Sequence, residues 1–198
     1  MALQSITRKG YGQVELNQVS AVRSGRIEAQ AALDKDDFSI EVPAENGMIL
    51  AVDKVSNKVK LYDDSKNYPL ALMQSIEKVY NQFADGLKEF ALVPSEKPFG
   101  MQPKPRLYYL SAGDKFTTNA ICADIGTEMG DEFANDTALW AAVEDVGTTP
   151  LYGGVSELGY IKVSATPPTD GYVLAVTKKT TMPDRQPAIH FHVIGMAE

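Results

Sequence analysis

The sequence predicts an α+β fold, predominantly β: an antiparallel sandwich or barrel with one or two short helices and an extended N-terminal arm. Three observations lead there. Apolar and polar residues alternate over short runs: Ile27, Ala29, Ala31 and Leu33 fall on one side, Glu28 and Gln30 on the other, which is the period of a half-buried strand. Glycine, proline, asparagine and aspartate separate these runs at short intervals. Three- and four-residue apolar spacing is confined to residues 69–83 and 137–146. At 198 residues the chain suits one domain and can bury roughly 70% of its unfolded surface without disulfides or a structural metal. With 44% hydrophobic and 23% charged residues, it matches neither a disordered tail nor a coiled coil.

The elements follow in order. Residues 1–18 read as the arm, polar and glycine-containing at Gly10 and Gly12, ahead of a compact mostly-β domain over 19–198. A hairpin is expected from strands at 19–23 and 26–30, joined by Ser24 and Gly25. Residues 38–42 alternate again and stop at Pro43. A second hairpin spans 48–62 with its turn at Val55, Ser56 and Asn57. Pro69 suits a first helical position, and Leu70, Met73, Ile76, Val79, Tyr80 and Phe83 continue a helix that Gly86 ends. Residues 94–105 hold four prolines and one glycine, a stiff connection that either subdivides the domain or forms a surface loop. Strands follow at 106–111 and 116–122 across a turn at Gly113 and Asp114. Asp136 caps a helix over 137–146 that buries Leu139, Trp140, Ala142 and Val143. Gly153, Gly154 and Gly159 punctuate the approach to a strand at 160–165, and a last pair occupies 171–178 and 188–194. Residues 47–54 and 171–178 match at five of eight positions, an echo that fits either related halves or the shared vocabulary of β-strands.

Composition excludes several functions. A net charge of −7 opposes general affinity for nucleic acid or anionic lipid. No run of 18 apolar residues is present, so no membrane span is expected. Arg8 and Lys9 stand where a signal peptide needs its apolar stretch, and the single Cys122 cannot form an internal disulfide; both fit an intracellular, reducing origin. The charge is uneven. Residues 1–30 carry Arg8, Lys9, Arg23 and Arg26 against Glu15 and Glu28, whereas residues 116–161 hold eight carboxylates and no Lys or Arg. Such halves suit complementary surfaces of neighbouring copies, or a plain solvated acidic face.

Chemistry-bearing motifs are sparse. His190 and His192 stand two apart on a strand and so point the same way, but these are the two histidines of the chain, and Glu198 lies too far on to complete the His-x-His…Glu pattern of cupin-type metal barrels. Residues 124–128 lack the spacing of a calcium loop. Cys122 sits in an apolar strand and reads as a small buried hydrophobe. A nucleophile elbow, a phosphate-binding loop and a GxGxxG fingerprint are absent. The expectation is no catalytic residue, no cofactor and no metal.

One resemblance carries further. The string PRLYYLSAGDKFTTNAICAD (105–124), with GMILAVDKVSNKVKLYD (47–63), GYIKVSA (159–165) and TTMPDRQPAIHFHVI (180–194), resembles small virion proteins of tailed bacteriophages, in phrasing and element order over most of the chain. The resemblance implies a non-enzymatic head decoration, or cement, protein, made in the host cytoplasm and bound to the outer surface of the major capsid protein lattice. Its partners would be that capsid protein and copies of itself, with neither nucleic acid nor membrane. Contact would fall to the arm, at Arg8, Lys9 and Tyr11, and to the first hairpin, at Arg23 and Arg26. Two alternatives stand beside it: a tail, neck or baseplate component, and a small-barrel metal enzyme or ligand-binding module built on His190 and His192.

Overall fold

The computed structural model describes residues 4–6, 11–75, 91–94, 102–124 and 136–197. In chain order the elements are β1 (Gln4–Ile6), β2 (Val14–Gln18), α1 (Ser20–Ser24), β3 (Ile27–Glu28), β4 (Ala32–Leu33), β5 (Ile49–Asp53), β6 (Lys58–Lys60), β7 (Leu70–Met73), β8 (Leu107–Tyr108), β9 (Lys115–Thr118), β10 (Ile121–Asp124), α2 (Asp136–Glu144), β11 (Tyr152–Val155), β12 (Ile161–Ser164), β13 (Tyr172–Thr181) and β14 (Pro187–Met196). They form an eight-stranded sheet, ordered β1-β10-β12-β11-β13-β14-β9-β2, and a six-stranded sheet, ordered β3-β8-β7-β5-β6-β4. The protein is therefore α+β and predominantly β. Most pairings are antiparallel; β10 with β12 and β4 with β6 run parallel.

The larger sheet curls on itself. β9 and β10 lie near opposite ends of its strand order, yet Asn119 and Ala120 alone separate them in sequence. The N-terminal segment runs antiparallel beside that stretch, β1 on β10 and β2 on β9. On the other side, β12, β11, β13 and β14 lead from β10 back to β9. Phe116 and Phe191, cross-strand partners, pack inside with ring centroids 5.6 Å apart. Leu139 and Val143 of α2 are buried in the same cluster.

The smaller sheet has apolar neighbours on both faces of its two middle strands. Ile49, Ala51, Leu70 and Leu72 enter the cluster that holds Phe116 and Phe191. The alternate residues Met48, Leu50, Val52, Ala71 and Met73 enter a second cluster with Phe38, Val59, Leu107 and Tyr160. Tyr172 of β13 joins the sheets: its hydroxyl donates to the Leu70 carbonyl (2.9 Å) and accepts from the Leu110 amide (3.2 Å). Burial raises its pKa, so the hydroxyl keeps its proton.

Several elements differ from the sequence reading. Residues 20–24 form a helical turn, α1, in place of the first hairpin's leading strand; Gly25, at φ 68°, ends it in the left-handed conformation. Residues 38–42 form no strand. Ser39 turns back instead, its amide bonding the Val42 carbonyl and its hydroxyl the Glu41 and Val42 amides. Residues 70–73 form β7 and not the start of a helix; the remainder of that expected helix lies outside the described residues. Gly153 and Gly154 sit inside β11, where Phe191 and Ile161 crowd the bare Gly153 Cα. Residues 14–18 of the expected arm are a paired strand. The hairpin at 48–62, the helix at Asp136 and the closing pair form where the sequence places them; the strand expected at 106–111 is instead β8 of the smaller sheet, 116–122 divides into β9 and β10 of the larger, and the helix buries Leu139 and Val143 but leaves Trp140 and Ala142 half-buried.

Two interiors carry testable consequences. Asp34, buried beside the parallel β4–β6 pair, receives Lys58 (2.9 Å) and Lys60 (2.7 Å). Burial acts to raise its pKa, but the bonds from Lys60 and Lys58 prevail and hold it at about 2. The resulting stability, about 2 kcal/mol before solvent screening at the half-exposed Lys58, is present above about pH 4 and is lost as pH falls towards 2. Asp34→Asn is expected to remove most of it at neutral pH and to flatten the acid limb of a urea-measured stability profile; an unchanged limb would contradict this. Gly47 adopts φ 92°, and a Cβ there would sit 2.1 Å from Thr118 Oγ1 and 3.0 Å from the Gln13 carbonyl. Gly47→Ala is expected to cost about 3 kcal/mol or more in the same assay.

Candidate functional site

Of the arm and hairpin residues singled out by sequence, Tyr11, Arg23 and Arg26 fall among the described residues. Arg8 and Lys9 lie outside the described residues. Tyr11 sits at one end of β9, held through its backbone: Asn119 Nδ2 donates to the Tyr11 carbonyl (3.1 Å), Asn119 Oδ1 accepts from the Gln13 amide (2.6 Å), and Thr118 Oγ1 donates to the Gln13 carbonyl (2.6 Å). Buried Glu45 adds an acceptor for the Gly12 amide (3.3 Å) and for the Tyr160 hydroxyl (3.2 Å). Arg23, in the last turn of α1, and Arg26, just after it, belong to the segment that meets the other end of β9, where Ser20 bonds Asp114.

That second end is organised by Asp114. Its carboxylate accepts from the Ser20 amide (2.9 Å), the Ser20 hydroxyl (3.2 Å) and the Ser111 amide (2.8 Å). The residue preceding α1, Val19, has no capping side chain, so Asp114 satisfies from a distant strand what a local cap normally would. The Asp114 carbonyl accepts from the Val193 amide (2.8 Å), and the Val193 carbonyl from the Gly113 amide (2.9 Å). The Arg26 guanidinium reaches the Ser111 hydroxyl. Asp114 thus gathers α1 and the turn before β9 through its carboxylate, and β14 through its backbone carbonyl.

Besides Ile40 and Val55, the exposed large apolar side chains among the described residues lie on α1 and β14, the two elements that Asp114 joins. Val22 is 54% exposed, Ile194 51% and Met196 54%, beside exposed Arg23 and Arg26. Sequence reasoning missed all three apolar residues and the reach of Asp114. The sequence places Val22 in a strand over 19–23 and Ile194 at the end of the strand over 188–194. At the Val193–Ile194 step β14 carries one extra residue against β13; this bulge breaks the alternation, and the sequence holds no mark of it.

His190 and His192 lie on the outward row of β14, opposite buried Ile189, Phe191 and Val193, as alternation predicts. His190 Nδ1 lies 3.0 Å from Thr117 Oγ1. Lys178 stands directly across from His190, and Lys115 directly across from His192. Burial, then Lys178, Lys115 and His192, lower the His190 pKa. Neighbouring ammonium groups make this a poor cation site, and among the described residues no three His, Cys, Asp or Glu side chains converge as metal ligands do.

A cleft of about 580 Å³ opens elsewhere, lined by Asp64, Lys162, Ser164, Pro168 and Asp170 among others. At its lip the Tyr62 hydroxyl donates to Asp170. Burial and the Asp170 charge push the Tyr62 pKa up, so the phenol is a donor and no base at neutral pH. Among the described residues no helix is long and apolar enough to cross a membrane. No family model, curated protein or solved structure matches the chain.

Asp114→Ala leaves the Ser20 and Ser111 amides without their acceptor. It is expected to lower stability by about 3 kcal/mol in urea unfolding, whereas Arg23→Ala, at an exposed position, should change it by less than about 0.5 kcal/mol. Equal effects would contradict the part given to Asp114.

Proposed function

We propose that this chain is a non-enzymatic capsid decoration protein of a tailed bacteriophage, which binds the outside of the major capsid protein lattice and stabilises the head. The observation that carries the reading is that Val22, Ile194 and Met196 are exposed on α1 and β14, the two elements that Asp114 ties together. Exposed apolar side chains grouped on a fixed scaffold mark protein contact, and Met and Arg are favoured at interface cores. Because the scaffold is already ordered, docking loses little conformational entropy. The resemblance of residues 47–63, 105–124, 159–165 and 180–194 to phage virion proteins supplies the identity of the lattice. Many modest contacts of this kind, repeated over a symmetric shell, add by avidity and oppose separation of its subunits.

The arm enters this proposal differently from its reading in the sequence. Truncation through residue 18 would delete β2 and unlatch Gln13, so loss of binding in that variant would not distinguish docking from folding. Substitutions at solvent-exposed positions do. Val22→Asp with Ile194→Asp is expected to leave the melting temperature within a few degrees and to weaken binding to heads lacking this protein by about a hundredfold, the effect of two disrupted anchor positions. Undiminished binding in a co-sedimentation assay would remove this end of the molecule from the mechanism.

A further inference from the structure

The outward face of β9, β13 and β14 groups basic side chains without partners. Lys178, His190 and Thr117 stand in one cross-strand register, and His192 and Lys115 in the next. Lys178 is exposed; Lys115, His190 and His192 are half-exposed. Neither lysine forms an ion pair with a carboxylate of the described residues. Like charges directly across from one another destabilise a sheet, so an anion seated between them relieves a repulsion built into this one.

His190 is set for such a ligand. The buried Thr117 hydroxyl donates its one proton to Asn17 Oδ1 (2.7 Å) and faces His190 Nδ1 at 3.0 Å. With that proton committed, its oxygen accepts from Nδ1–H, which leaves Nε2, on the far side of the half-exposed ring, for a ligand. A protonated ring held this way offers an N–H donor beside Lys178, and charge-assisted hydrogen bonds to carboxylates are the strong ones. Spacing selects the ligand. Residues two apart on a strand are about 7 Å apart, and an extended chain with carboxylates at alternate positions has the same repeat. We infer that this face binds an acidic extended segment of a partner protein, one carboxylate between His190 and Lys178 and the next between His192 and Lys115. The net charge of −7 opposes a nucleic acid, with its dense and long-ranged charge, more than a short acidic segment.

The charged and titratable groups facing the histidines are Lys178 on β13, Lys115 on β9, each other and, two strands away on β2, Glu15. Burial, then Lys178, Lys115 and His192, hold the His190 pKa down in the free protein; an adjacent carboxylate raises it. Binding therefore takes up protons, and by linkage affinity rises as pH falls towards the pKa of the free protein.

Binding is read with the free, full-length chain and needs no capsid. The probe is a fluorescein-labelled oligo-glutamate peptide, followed by fluorescence anisotropy at low salt. Its affinity is expected to tighten about tenfold between roughly pH 7.5 and 5.5, as two further surface charge contacts form, and to vanish in about 0.5 M salt. Lys115→Gln with Lys178→Gln should weaken it about tenfold at an unchanged melting temperature. Lys35→Gln with Lys104→Gln, exposed cations flanking β4 and β8, should leave it as it is. His190→Gln with His192→Gln should remove the pH response. No binding by the wild-type chain, an equal loss in the Lys35, Lys104 variant, an unchanged pH response in the histidine variant, or tighter binding of a single-stranded DNA of equal charge would each overturn the inference.

Discussion

The fold depends on burying both faces of β5 and β7. Ile49, Ala51, Leu70 and Leu72 lie in one apolar cluster, and Met48, Leu50, Val52, Ala71 and Met73 in the other. Each Ile, Leu, Val or Met among them contributes about 1.5–3 kcal/mol on leaving water, and neither cluster exists without the strands that separate them. The curled sheet packs on one side. On the other lie Phe38, Val59 and Tyr160. Polar groups inside that stack require partners, and Tyr172 is placed where its hydroxyl reaches both the Leu70 carbonyl and the Leu110 amide.

From this core the polar latches sit at the periphery. Asn119 and Thr118 fasten residues 11–13 at one end of β9, Asp114 fastens α1 and β14 at the other, and Asp34 clamps the parallel strands at the edge of the smaller sheet. Each removes freedom from a segment that the apolar clusters alone do not fix. Where the latch leaves large apolar side chains outside, as at Val22, Ile194 and Met196, the molecule has a rigid surface suited to a partner.

The sequence made the strand-rich class legible because alternation survives wherever one face is buried: β12 and β13 follow it, and His190 and His192 fall on the outward row as their spacing requires. It failed where both faces are buried. Leu70, Ala71, Leu72 and Met73 form a continuous apolar run, whose period cannot separate strand from helix. Alternation at 38–42 misled for another reason: Ser39 bonds the backbone locally and turns the segment over. The turn glycine at 25 was recognised, but its left-handed conformation serves a helical turn as well as a hairpin. The surface at Asp114 was illegible, since its pieces come from residues near 20, 114 and 193, and sequence spacing carries no trace of that meeting.

The central claim is that the molecule acts by contact with a repeating protein shell through its Asp114 end. A density map of intact particles containing this chain tests it most directly. The account predicts copies on the order of hundreds, in keeping with shell symmetry, on the outer surface, with Val22, Ile194 and Met196 turned towards the lattice. A handful of copies at a single vertex or in the tail, or a shell-bound molecule with that end facing solvent, would contradict it.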